Sequence, residues 1–162
     1  MKKYIIPFLT IVVVCFTPNA IRSQSSQNNL VELSNDYAKY NLNESNTPEK
    51  WEDGIRTSGE KGTYEWWYFD AHLDDGSTVV IVFFTKFMTS INKTLTPLVT
   101  LNIDKADGTK IEKSFLGNPD DFFASKDSCN VKIGKNYFVG NLKNYEIHFE
   151  DEDLNLTANI TR

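Results

Sequence analysis

The chain has 162 residues, of which 40% are hydrophobic and 13% aromatic, with 17 Lys and Arg against 22 Asp and Glu for a formal charge of minus five. An acidic balance excludes a role built on nucleic-acid binding, which needs an excess of basic side chains to displace counterions. Two cysteines and two histidines leave little material for a disulfide scaffold or a metal centre.

At the start of the chain Lys2 and Lys3 precede an almost unbroken apolar run from Tyr4 to Phe16, and a polar stretch from Thr17 to Gln27 follows. That is the order of a secretory signal peptide. The run falls short of the roughly 20 apolar residues a bilayer span requires. Cleavage is expected near Ala20 or after Ser23, giving a secreted or periplasmic chain that begins around Gln24, with no integral membrane span. Cys15 is a poor lipid-attachment site because Val14 and Phe16 flank it where small residues are wanted. Removing residues 1–23 takes away Lys2, Lys3 and Arg22 and no acid, leaving 14 basic against 22 acidic side chains, a formal charge of minus eight. Cys129 is then the only cysteine, so an internal disulfide is ruled out. About 139 residues remain, enough for one domain with a packed core.

Residues 24–50 read as a polar, Ser-, Asn- and Gln-rich lead-in that docks locally, with a short helix open as an alternative between Val31 and Tyr40. From Trp51 onward short alternating apolar runs are punctuated by Asp, Asn and Gly, the pattern of an antiparallel all-β domain. The first strand is expected from Thr63 to Leu73 and the second from Ser77 to Met88, joined by Asp74-Asp75-Gly76, where glycine accepts positive φ. Further strands are expected from Leu95 to Ile103 and from Lys110 to Leu116; Pro119 then interrupts. Phe122 to Ser125, Asn130 to Ile133 and Tyr137 to Val139 follow, and Tyr145 to Glu150 pairs with Leu154 to Thr161. Eight or nine strands in sequential hairpins suit an up-and-down barrel or a sandwich. The run ending at Arg162 stops without a turn, so a second β domain or another partner is expected to cover the terminal strand.

Chemistry concentrates in the first hairpin. Alternation puts Glu65, Trp67, Phe69 and Ala71 on one face and Tyr64, Trp66, Tyr68, Asp70 and His72 on the other. Both faces are apolar enough to be covered, and periodicity does not tell which one lines a cavity. Trp66, Trp67, Tyr68, Phe69 and Phe84 are the candidate contacts for a hydrophobic small molecule, against the plainer reading of ordinary core. Glu65 among rings must be paired, hydrogen-bonded or protonated. An ion pair with Arg56 or Lys86 competes with a role as a proton donor kept neutral by desolvation. His72 and His148 lack metal-ligand spacing, no nucleophile elbow occurs, and no metal or cofactor is implied. Sequons at Asn43, Asn92, Asn155 and Asn159 are close to chance in a chain this rich in Asn.

The string Pro48 to Thr57, followed by Glu65-Trp66-Trp67-Tyr68-Phe69-Asp70-Ala71 and Asp75-Gly76-Ser77, resembles the start of the hydroxyneurosporene synthase (carotenoid 1,2-hydratase) and AttH-like superfamily. The likeness is closer to the branch with kievitone hydratase-like proteins and fungal Diels-Alderases. It implies a lipocalin-like, calycin-type domain, the first of two, with a ligand pocket in or between them. It also implies hydration of an isolated alkene or a templated cyclisation of an isoprenoid or polyketide-like molecule. Hydration passes through a carbocation and needs an acid beside π faces, a demand Glu65 or Asp70 with Trp66, Trp67 and Tyr68 would meet. Cyclisation needs only a pocket that holds a polyene in a reactive pose. A noncatalytic carrier of lipid-like ligands is the alternative from another class.

Overall fold

A computed structural model describes residues 47–161, and these fold as part of one compact unit. The expected leader, its cleavage site, the lead-in up to residue 46 and Arg162 lie outside the described residues. Nine strands follow a 3-10 turn at Lys50–Asp53: β1 (Trp66–His72), β2 (Thr78–Phe84), β3 (Leu98–Asp104), β4 (Lys110–Leu116), β5 (Phe122–Ala124), β6 (Asn130–Ile133), β7 (Asn136–Gly140), β8 (Asn144–Glu150) and β9 (Asn155–Thr161). The described residues contain no α-helix. The expected strands all form, most of them within two or three residues of their expected ends. β1 starts late because Thr63 is spent in a turn, its N–H donating to Glu60 O at 3.2 Å. β2 stops early because the chain leaves the sheet at Phe87 and winds into a 3-10 turn at Met88–Ser90.

The strands form two antiparallel meanders, β1-β2-β3-β4 and β5-β6-β7-β8-β9. Register makes each inner row continuous across the first sheet. Trp67 lies beside Phe83, Val99 and Phe115, and Phe69 beside Ile81, Leu101 and Lys113. In the second sheet Ala124, Val131, Phe138, Ile147 and Ala158 make the matching row. The inner faces share one core, in which Ile81, Phe83, Val99, Leu101, Ile133, Ile147 and Phe149 are wholly buried and Phe83 meets Phe138 at 6.1 Å between ring centroids. At about 25 cal/mol per Å² of apolar surface, rows of this kind supply most of the drive to fold.

The barrel expectation needs correction. No ladder joins β4 to β5 or β9 to β1, so the sheets do not close on themselves. The first break has a local cause in the corner at residues 117–121, where Pro119 has no N–H to give. Gly117 still donates to Pro97 O in the first sheet, whereas Asp121 O already accepts from Gly134 in the second. The second break is a seam bordered by the edges of β1 and β9, which have no ladder partner among the described residues, and there the core of those residues stays partly open. Phe69, Ala71, Leu156, Ala158 and Ile160 point inward but are only half-buried.

Candidate functional site

The seam holds two adjoining clefts. One, of about 630 Å³, lies against the first half of β1 and the end of β9. The other, of about 700 Å³, lies against the second half of β1 and the whole of β9. Phe69, Ile160 and Thr161 border both, so the two strands run in opposite directions along one groove.

Trp67 anchors the first cleft. Its ring packs into the core with 8% of its surface exposed, and Nε1 donates to Asp53 O at 3.0 Å. That bond holds the Lys50–Asp53 turn at the mouth of the cleft. The Asp53 carboxylate in turn accepts from the Tyr145 hydroxyl at 2.6 Å, tying β8 to the same turn across 92 residues of sequence. Tyr145 reaches that position because residue 140, its cross-strand partner, is glycine: a Cβ there would stand 1.9 Å from the Tyr145 ring. Phe138 and Tyr145 meet edge to face at 5.9 Å and wall the cleft with Ile160. Cys129 lies on the same wall, 2% exposed, its Sγ 3.6 Å from Phe138 O. Burial, and then the charge of Asp53, push its thiol up to about 12, so it stays neutral.

Glu65 also borders this cleft, but its oxygens are occupied. Arg56 N donates at 2.9 and 3.0 Å, and Thr57 N and Thr57 Oγ1 each donate at 3.0 Å. Backbone N–H groups and the Thr57 hydroxyl therefore stand where one of the two alternatives put an ion pair with Arg56 or Lys86. The Arg56 guanidinium instead sits 4.1 Å above the Trp51 ring, and Lys86 Nζ donates to Glu60 O and Lys93 O. A carboxyl group accepting from all these donors fastens the strap at residues 55–58 onto β1. Among the described residues Glu52, Asp53 and Glu65 give the cleft three carboxyl groups, and no Lys, Arg or His lines it.

The other expected contacts divide by face. Phe69 sits on the inner face and borders both clefts. Trp66 and Tyr68 stand on the outer face, 48% and 54% exposed, and reach the cleft from the rim of the free β1 edge. Phe84 borders neither cleft; it packs outside against Phe87 at 4.8 Å. Asp70 is exposed on the outer side and lies at the edge of the second cleft, away from Glu65. Asp53, Phe138, Tyr145 and Ile160 belong to the site although sequence reasoning did not single them out. Asp53 lay inside the Pro48 to Thr57 string, where it passed as part of a motif. Nothing local marks Tyr145, since its role depends on a partner 92 residues away. No group of His, Cys, Asp and Glu suited to a metal ion occurs among the described residues. Comparisons with protein-family models, with curated proteins and with solved structures returned no significant match to this chain.

Proposed function

We propose that residues 47–161 are the first, lipocalin-like domain of an exported protein related to the hydroxyneurosporene synthase and Diels-Alderase superfamily, and that the β1–β9 groove binds a hydrophobic isoprenoid or polyketide-like molecule. The observation that carries this reading is the aromatic and aliphatic lining of the first cleft by Trp67, Phe69, Phe138 and Ile160 at a volume suited to a small ligand. Topology supports the calycin comparison. If β4 and β5 count as one strand bent at Pro119, the meander has eight positions in the sequential order of an eight-stranded up-and-down barrel, with β1 and β9 antiparallel on either side of the groove and no ladder between them.

The position of the acids favours binding, carriage or templated cyclisation over acid-catalysed hydration. Glu65 is engaged by the strap, and Asp70 faces outward. The test is saturable quenching of tryptophan emission by all-trans-retinol. One site per chain is expected, weakened roughly tenfold by Ile160→Asp, which puts a charge on the apolar wall. Phe84→Ala, outside the groove, leaves the titration unchanged. Unsaturable quenching, or equal losses in the two variants, would refute the groove as the site. Mass analysis of recovered polyene then separates the chemistries: unchanged ligand for a carrier, an isomer for a cyclase, an added water for a hydratase.

A further inference from the structure

We propose that the first cleft selects an apolar molecule whose head donates a hydrogen bond and carries no negative charge, such as a terminal alcohol, with Asp53 as the head-group acceptor and Tyr145 as its positioning residue. The inference rests on the groove being a ligand site and adds which end of a ligand it recognises. The walls of the cleft are mostly apolar, so a hydrocarbon chain is held by burial without orientation. Orientation comes from polar groups placed at one end. Asp53 and Tyr145 are such a pair, 2.6 Å apart on the cleft lining. The Tyr145 hydroxyl fixes one carboxylate oxygen, and a carboxylate accepts about four hydrogen bonds in all. Acceptor capacity therefore remains for a ligand hydroxyl, in a charge-assisted bond.

An anionic head meets the opposite situation. Glu52, Asp53 and Glu65 share the lining, and among the described residues no basic side chain there offsets a further negative charge. Cys129, neutral through the physiological range, does not change that balance. A carboxylate of the same skeleton thus loses the hydrogen bond and gains repulsion, which is strongest where protein walls lower the local dielectric.

The test is displacement of N-phenyl-1-naphthylamine from the full chain at neutral pH by three probes of one skeleton: farnesene, farnesol and ionised farnesoic acid. Farnesol is expected to displace the dye at roughly one-tenth the concentration of farnesene, as one charge-assisted bond implies, and farnesoic acid to be the weakest of the three. In Asp53→Asn the penalty against the acid collapses while farnesene binds as before. In Tyr145→Phe the advantage of farnesol over farnesene shrinks, a ratio that loss of packing alone does not move. Equal displacement by farnesol and farnesoic acid overturns the proposal, as does a preference that survives Asp53→Asn. Where Asp53→Asn no longer binds farnesene, the Tyr145→Phe ratio decides, and an unchanged ratio overturns the proposal. If none of the three displaces a dye that does bind, the ligand site itself is refuted, a different failure from an unselective cleft.

Discussion

The Lys86 ammonium is enclosed by its own fold, with no surface exposed, and its Nζ donates to Glu60 O at 2.7 Å and Lys93 O at 2.6 Å. Burying a cation is costly unless its donors are met, and here backbone carbonyls from the loops on either side of the β1–β2 pair meet them. Lys86→Met keeps much of the stem but orphans both carbonyls, so the urea midpoint should fall by the equivalent of about 1–3 kcal/mol. An unchanged midpoint would mean that the loops find other donors. Gly140 is a second single-residue constraint. Gly140→Ala forces the Tyr145 ring aside and should break its bond to Asp53. The farnesol-to-farnesene ratio should then fall as it does in Tyr145→Phe; a ratio equal to that of the unmodified chain would show that the ring keeps its place. Legibility at this scale was uneven. Glu65 stood out because a carboxyl among four aromatics must find partners, but beside the Thr57 hydroxyl its partners proved to be peptide N–H groups, which every residue but proline has and no side-chain pattern reveals.

Three hairpin turns are braced by an aspartate that accepts the N–H two residues on: Asp75 from Ser77 and Asp107 from Thr109, both at 2.8 Å, and Asp151 from Asp153 at 2.9 Å. Those backbone bonds are the main cause that holds each carboxyl group below its ordinary value of 3.8. A group depressed in the folded chain stabilises the fold above its unfolded value, and that contribution is lost as pH falls through the depressed one. Stability against urea should therefore hold at neutral pH and decline below 3.8. Replacing all three with Asn keeps an acceptor but removes the titration, so the acid decline should flatten; an equally steep decline would assign it to other carboxylates. Strands were the most legible level, because alternation and Asp-Gly turns act over a few residues. Their ends were less so: Thr63 and Met88 look compatible with strand, and the turns that claim them depend on Glu60 and on the chain leaving the sheet at Phe87.

Across the whole molecule the question is why one seam stays open. Among the described residues four strand edges have no ladder partner: those of β1, β4, β5 and β9. β5 has three residues, too few to template much pairing, and β4 carries Lys110, Glu112 and Lys113, charges that discourage edge-to-edge association. β9 has neither protection. Asn155 to Thr161 contains no charge and no proline, and its inner Leu156, Ala158 and Ile160 remain half-buried. Whether β9 lies beside β1, beside a ligand or beside another chain, its alternation reads the same, because period two reports which side faces inward and says nothing of what lies along the edge. The nine strands were therefore legible, whereas the groove they leave between first and last was not. Such an edge should self-associate when no ligand or partner occupies the groove. Thr157→Lys with Asn159→Lys, both exposed, should lower light scattering in concentrated solution while shifting stability by no more than about 0.5 kcal/mol. A saturating polyene should lower scattering in the unmodified chain as well, since it fills the groove and draws β9 toward β1. Scattering that responds to the lysines but not to the polyene would separate the edge from the ligand site and place the groove's occupant outside the β9 border.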